Sequence, residues 1–438
     1  MVALVMASQP DVVALFFALT SLPTVLLLLP ADPRAWSSAP PIPRGTPLCL
    51  PPSTEGFSAA GAQAGLAVHR LPAAHDGRPG PPVPDDAWYR CSGFVCFSSG
   101  STGPPKPVFR SAAGVRTQAQ AIVDALRLQR GDGVLGTLPL AAGFHGLVNS
   151  LLVPALLGGE LALVERFDHR TVLRLFALRR HRFWPATPLM ADLLSRCTLT
   201  GNPPPAPPIC KTGGGDLSAG VRRRFRERFA TTLRASYGTA ELGIISLSEE
   251  HDETDGVGSA LPGVEVRIGS HPTSAAAPGE SGRIWVRSPW ASHAYGFGSG
   301  TPPLPVADCW HATEDIGRLD GLGRLAVLGR ADDCIKTSSG YVVSLDLVAR
   351  VLAEACEATS AVALPLAGPG GASYGILVER TEGLRSGHVH EWAARLLPAW
   401  SQPQLVRVVS QLPRLPSGKI DRAGCRELMG RVDPGENT

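Results

Sequence analysis

Five short segments of this chain bring together residue types that can handle phosphate. Phe97-Ser98-Ser99-Gly100-Ser101-Thr102-Gly103-Pro104-Pro105-Lys106 carries an apolar run into glycines and hydroxyls and ends on a lysine. Glycines let successive backbone N–H groups turn inward as an anion nest, the hydroxyls add donors, and Lys106 adds a mobile charge, a set suited to a polyphosphate. The GxxxxGK[ST] spacing of a Walker loop is absent, and a Ser/Gly-rich surface turn is the bland alternative. In Tyr237-Gly238-Thr239-Ala240-Glu241 a carboxylate follows a Gly-containing turn at a strand end, where it can hold phosphate-bound Mg²⁺. His311-Ala312-Thr313-Glu314-Asp315 precedes Gly329-Arg330-Ala331-Asp332-Asp333-Cys334-Ile335-Lys336. Leu412-Pro413-Arg414-Leu415-Pro416-Ser417-Gly418-Lys419-Ile420-Asp421-Arg422 places Lys419 on a tight Pro/Gly loop able to swing into a distant site.

The elements that must position these segments alternate short apolar runs with longer amphipathic ones, such as Phe94–Phe97, Ala112–Arg127, Gly133–Leu138 and Thr171–His181. Such alternation suggests βα units and a largely parallel sheet. After about residue 256 the runs become short, Gly-bounded and alternating, as in a β-rich subdomain. After Arg330 an α+β pattern follows, with a helix near Asp346–Ala358 and strands near Val362–Pro365 and Ile376–Val378. The expected fold is therefore α/β: a large N-terminal domain over 1–331, with parallel sheets and a β-rich subdomain, and a small mobile α+β domain over 332–438. The apolar stretch Val12–Leu29 approaches membrane-span length, but Thr20-Ser21-Leu22-Pro23 interrupts it and no basic residue precedes it. It reads as a helix, a turn and a strand from Thr24 to Leu29.

Composition sharpens the list. Of 41 basic residues only Lys106, Lys211, Lys336 and Lys419 are lysine. Where arginine carries generic charge, a remaining lysine can mark a need for a compact, flexible ammonium, though chance is an equal reading for any one of them. A net charge of +3 gives no nucleic-acid footprint. The cluster Arg222-Arg223-Arg224-Phe225-Arg226-Glu227-Arg228 reads as a solvated helix face, with Phe225 and Phe229 turned inward. The nine cysteines form no CxxC pair and no zinc-like spacing, which suits reduced thiols in a cytoplasmic protein.

Taken in order and spacing, SSGSTGPPK, YGTAE, TED, GRADDCIK and LPSGKIDR resemble the adenylate-forming superfamily of acyl- and aryl-CoA synthetases, peptide-synthetase adenylation domains and luciferases, over about residues 10–422. The resemblance implies ATP and Mg²⁺ as cofactors. A substrate carboxylate would attack the α-phosphorus of ATP and expel pyrophosphate, and the acyl-adenylate would pass to a thiol. Ser98, Ser99, Gly100, Ser101, Thr102, Gly103 and Lys106 match the pyrophosphate loop, and Glu241 the metal ligand. Tyr237, Gly238, Thr239 and Gly213–Gly215 match the nucleotide wall. Asp315 and Arg330 match the ribose pair, Lys419 the catalytic lysine and Asp332 the hinge. Lys211 directly precedes the glycine segment.

The implied partners are a small carboxylic acid and coenzyme A, or alternatively the phosphopantetheine of an acyl or peptidyl carrier protein; no nucleic acid and no membrane span are expected. Gly143, His145 and Gly213 fall in the acid pocket, and for His145 a hydrogen-bonded core role is an equal reading. Residues 134–159 contain no acid to pair with an α-ammonium, which argues against amino acids. Departures from the family pattern are a shortened front, Pro107 and Glu314 in place of Gly, and Ala240 in place of Thr. They keep two alternatives open: an adenylate former with a non-thiol acceptor, and a non-catalytic nucleotide-binding relative.

Overall fold

The computed structural model describes residues 1–33, 36, 42–71, 92–97, 106–141, 143–198, 202–215, 217–249, 256–292, 294–296, 306–307, 309–336, 342–358, 360–366, 373–379, 383–413 and 420–430. Contacts divide the chain into two compact units. One comprises Met1–Val266, Val286–His311 and Gly323–Leu325; the other comprises Arg267–Trp285, Ala312–Leu322 and Ala326–Thr438.

The first unit contains two sheets. β1 (Val2–Met6), β2 (Val25–Pro30), β3 (Pro47–Leu50), β4 (Ala67–Arg70), β5 (Gly93–Phe97) and β6 (Pro107–Ser111) form one of them in the order 6-5-2-1-3-4. β1 and β2 run parallel in register, with Leu4 opposite Leu28. Leu4, Val5 and Leu26–Leu29 are fully buried, as expected of strands covered on both faces. The stretch that approached membrane-span length is the helix Pro10–Thr20, a turn, and β2. Pro10 sits at the first helical turn, where its missing N–H costs nothing. No described helix is long and apolar enough to cross a membrane.

β7 (Gly133–Gly136), β8 (Leu161–Leu163), β9 (His181–Ala186), β10 (Ile209–Thr212), β11 (Leu233–Thr239), β12 (Gly243–Leu247) and β13 (Gly258–Ala260) form the second sheet in the order 8-7-9-10-11-12-13. The strands from β8 to β11 pair parallel, and the chain turns antiparallel only at β12. One face packs on the helices Pro188–Arg196 and Ala219–Phe229, each begun by a hydroxyl cap, Thr187 and Ser218. Phe225 stacks on Trp184 at 5.8 Å and meets Phe229 at 4.7 Å. Such pairs add about 0.5–1.5 kcal/mol beyond their burial.

The arginine cluster departs from the expected solvated face. Phe225 and Phe229 are buried as expected, but Arg222 is buried too, donating to the carbonyls of Leu233 (3.2 Å) and Gly256 (3.0 Å). Arg224 pairs with Asp192 at 2.7 Å, and Arg228 donates to the Cys197 carbonyl. A guanidinium's fork of donors suits such loose backbone carbonyls, so several of these arginines tether neighbouring segments.

In the β-rich stretch that follows, the second unit's strands are β14 (Glu265–His271), β15 (Ser274–Ala275) and β16 (Ser281–Arg287). Two-residue strands β17 (Ala294–Tyr295) and β18 (Val306–Ala307) lie in the first unit, β17 pairing antiparallel with β6. With β19 (Trp310–Leu319) and β20 (Arg324–Arg330) the second unit's order is 15-14-16-19-20. β21 (Cys334–Lys336) and β22 (Val342–Ser344) form a small antiparallel pair. β23 (Ala361–Leu366), β24 (Ser373–Glu379) and β25 (Leu405–Val409) form a three-stranded sheet. The helices Leu345–Ala355 and Ser386–Leu396 contribute to its apolar cover, and Ser344 caps the first of them. This is the α+β pattern expected after Arg330.

Candidate active site

β5 and β6 pair so that Phe97 lies opposite Pro107, which brings the two ends of the 98–105 loop together. The loop itself, with Ser98, Ser99, Gly100, Ser101, Thr102 and Gly103, lies outside the described residues. Pro107 opens β6, the strand position where a missing N–H is tolerated, and its carbonyl accepts from Gly296 N–H at 2.8 Å. Lys106 is exposed, with Nζ 5.3 Å from the centre of the Tyr295 ring. The Tyr295 hydroxyl donates to Glu241 Oε1 at 3.0 Å. Burial first, and then the Glu241 carboxylate, push the Tyr295 phenol upward, so it remains a neutral donor. One tyrosine thus links the loop lysine to the candidate metal carboxylate, from 54 residues beyond Glu241. The antiparallel pairing of β17 with β6 puts it there, a link the sequence reading missed.

Glu241 follows a turn that only glycines permit. A side chain at Gly238 would place Cβ 2.2 Å from the Gly243 carbonyl oxygen, and Gly243 holds φ +65°. Thr239 Oγ1 closes the turn by accepting from Leu242 N–H at 3.1 Å, and Ser292 N–H donates to the Glu241 carbonyl at 2.6 Å. Tyr237 is half-buried near the end of β11. Glu241 offers a hard carboxylate oxygen beyond the one Tyr295 occupies. No group of three or more metal-ligating side chains occurs among the described residues. A single carboxylate fits Mg²⁺, which keeps waters and phosphate oxygens as its other ligands.

At the carboxyl end of β10, Lys211 and Thr212 run into Gly213-Gly214-Gly215. Carboxyl ends of parallel strands are where α/β sheets bind ligands. Gly143 opens the helix Gly143–Leu147, which carries His145, and the helical path continues through a π-turn at Val148–Leu152. π-turns cluster at functional sites. The His145 ring lies against the glycines. A Cβ at Gly213 would sit 3.2 Å from His145 Nε2, and one at Gly214 would sit 3.6 Å from Nδ1. Lys211 is 1% exposed, and its Nζ lies 3.2 Å from His145 Nε2. Burial, then the Lys211 ammonium, hold His145 well below the ordinary imidazole value. Burial, then Arg234, bring Lys211 down to about 7. His145 is therefore neither a simple core histidine nor a lone pocket residue: it is bonded to the lysine that precedes the glycines.

In the second unit Asp315 is 8% exposed on β19, and Arg330 ends β20. Arg330 Nε stands 3.9 Å from Asp315 Oδ1, while its Nη2 donates to Glu314. The acid that replaces the family's Gly thus takes part of the arginine expected to hold a ribose. Asp332 lies in a single 3₁₀ turn between β20 and β21, and Lys336 ends β21. Lys419 lies outside the described residues. The loop that carries it is pinned at its base, where Asp421 N–H donates to the Pro413 carbonyl at 2.8 Å. Arg422 pairs with Asp333 and, at 2.7 Å, with Asp346.

With this geometry in hand, comparison with known proteins gives consistent matches. The family model for AMP-binding enzymes matches residues 55–295, more than half of the chain. The mitochondrial malonate–CoA ligase of Homo sapiens is 25% identical over 387 residues, covering 78% of this chain and 66% of that protein. An indoleacetate–CoA ligase of Aromatoleum aromaticum is 26% identical over 360 residues, covering 77% of this chain and 67% of its own. The chain thus spans about two thirds of the length of these curated relatives. Among solved structures, the o-succinylbenzoate–CoA synthetase of Bacillus subtilis, in complex with ATP and magnesium, superposes with a TM-score of 0.77. It shares 22% identity and covers 96% of this chain and 87% of its own. The mixed α/β architecture is that of adenylate-forming enzymes, and the chain belongs to the AMP-binding enzyme family.

Proposed function

We propose that this chain is an ATP-dependent carboxylic acid ligase that forms an acyl-adenylate with release of pyrophosphate and passes the acyl group to a thiol, coenzyme A or the phosphopantetheine of a carrier protein. The observation that carries this reading is the cluster of Lys106, Tyr295 and Glu241 at the mouth of the β5–β6 hairpin. It sets a mobile cation and an oriented carboxylate where a loop rich in glycine and hydroxyls begins. Adenylation depends mainly on placing the carboxylate in line with the α-phosphorus and offsetting charge on the leaving group. Ser98, Ser99, Gly100, Ser101, Thr102, Gly103 and Lys106 would hold the β- and γ-phosphates. Glu241 would hold Mg²⁺, which when bound supplies charge neutralisation on the pyrophosphate oxygens.

Tyr237, Gly238, Thr239 and Gly213–Gly215 would wall the adenine, and Asp315 with Arg330 would hold the ribose. Lys419 would supply a second cation to the reacting oxygens from a small domain, 332–438, that turns about Asp332 against the larger 1–331. A charge that arrives only in the closed state acts on the transition state rather than on the bound substrate. The acid would enter beside Gly143, His145 and Gly213. The named relatives act on malonate and indoleacetate, so they support a carboxylic acid without fixing which. A cytoplasmic place suits the thiols; the human relative is named mitochondrial, so fractionation of the native host decides the compartment.

Carboxylate-dependent ATP–pyrophosphate exchange across a broad acid panel tests the first half-reaction. Mass analysis for thioester after adding coenzyme A or a carrier protein tests the second. Exchange that persists undiminished in Lys419→Ala removes that lysine from the chemistry. An absence of exchange in folded protein favours a nucleotide-binding relative without catalysis.

A further inference from the structure

Lys211, like Lys336, is a lysine to which the adenylation chemistry above gives no task, and it is buried in the protein core. It lies on β10 in register with Pro185 of β9 and Arg234 of β11. Its neighbour Cys210 belongs to the aromatic core on the opposite face, so strand alternation turns Lys211 toward the helix that carries His145. The side chain is 1% exposed, and no carboxylate pairs with it among the described residues. A buried cation without a counter-charge is costly, and its same-face neighbour Arg234 adds to the positive potential. Two neighbouring buried groups are unsatisfied as well: Thr212 Oγ1 and Asn149 Oδ1 have no hydrogen-bond partner, although Asn149 Nδ2 donates to the His145 carbonyl at 2.8 Å.

The direction of the Lys211–His145 bond follows from donor chemistry. While Lys211 keeps its proton the ammonium can only donate, so His145 Nε2 accepts and the ring proton resides on Nδ1. Nδ1 is the edge that faces Gly214, and the ring is only partly buried. His145 therefore presents an N–H donor beside the glycine segment, with a positive charge directly behind it. That pairing has a chemical preference: it favours an anionic acceptor over a neutral one or over an alkyl group.

We propose that His145, held in this tautomer by Lys211, reads a second carboxylate on the acid substrate, so that the preferred substrates are dicarboxylic acids. His145 is the contact and Lys211 the positioning residue. The inference rests on the acid pocket assigned under Proposed function, and it adds the chemical class of the substrate.

The test compares α,ω-diacids and benzenedicarboxylates with their monomethyl half-esters, which keep the length and one carboxylate but lose the second charge. In the exchange assay, wild-type kcat/KM is expected to favour a diacid over its half-ester by roughly 100-fold, the order lost when one partner of a buried charged pair is removed. In Lys211→Met and in His145→Asn that ratio falls to within about threefold of one, while Lys211→Arg retains part of it because the charge remains. A merely structural lysine would lower both substrates in proportion and leave the ratio unchanged, which overturns the proposal; so does a wild type that treats the two alike. The same acids are also screened without ATP for a rise in Tm. If no acid supports exchange, the ligase reading fails. A diacid-specific rise in Tm that disappears in Lys211→Met would still uphold this site, and its absence would overturn the site as well.

Discussion

Lys106 and Lys211 stand in two regions of the same unit and show how burial changes what one residue type can do. Lys106 is exposed over the face of Tyr295, where solvent screens its charge and its stem can follow a phosphate. Lys211 is enclosed beneath the glycine segment and bonds a single imidazole. The first lies in solvent at the edge of the loop. The second is held by burial and by its bond to His145, as the proposed reading of a second carboxylate requires. An exposed loop-edge cation and a buried one are different instruments, although the sequence writes both as a lysine within three residues of a glycine.

The largest expected effect falls on the first region. Glu241→Gln keeps the hydrogen bond from Tyr295 but removes the anion, and exchange is expected to fall by roughly 100-fold or more, with the Mg²⁺ dependence displaced to higher concentration. If Mg²⁺ titrations of wild type and variant superimpose, Glu241 is not the metal ligand and the comparison loses its first half. Next is Lys106→Ala, expected to cost about 10–100-fold in exchange, mostly in the KM for ATP, because an exposed cation contributes less than a buried one.

The second region gives a stability signature. Lys211 keeps its proton to about 10.5 when unfolded but only to about 7 when folded, so between these values the unfolded chain binds more protons. Wild-type stability contributed by this group therefore rises with pH across that window. In Lys211→Met the contribution is absent. Urea unfolding should show the variant gaining on wild type by a few kcal/mol near pH 7, with the difference closing toward pH 10. A difference independent of pH would mean that Lys211 is not held as a buried base. The smallest effect is expected from Glu314→Gly: releasing the Arg330 guanidinium should tighten ATP binding about two- to fivefold by calorimetry, the scale of one exposed ion pair.

Much of this was legible in the sequence, and for identifiable reasons. The Pro10–Pro30 stretch was readable as helix, turn and strand because Pro10, the Thr-Ser-Leu-Pro break and a leucine run are local signals. The turn at Gly238 was readable because only glycine fits its crowded backbone. The helix and the strands after residue 344 came within a few residues of their observed limits. Other features were not readable. Tyr295 meets Glu241 only because β17 pairs with β6, and a two-residue strand has too little pattern to announce itself. Arg222 and Arg110 are buried, the latter fully, with Nε and Nη2 at 3.2 and 2.9 Å from the Trp290 carbonyl. Periodicity alone, helical for Arg222 and of a strand for Arg110, could not separate such tethers from solvated charges.

By itself the sequence determined the family, the α/β alternation, the glycines its turns need and the short set of lysines open to chemistry. These follow from steric limits and periodicities that act over a few residues. Only the tertiary structure decided what two of those lysines meet. The environment of a charge is set by groups far away in the chain: His145 lies 66 residues from Lys211, and a ring from a remote strand lies beneath Lys106. Dielectric and partnership, which set how strongly a cation's charge is felt, exist only once those distant segments have packed.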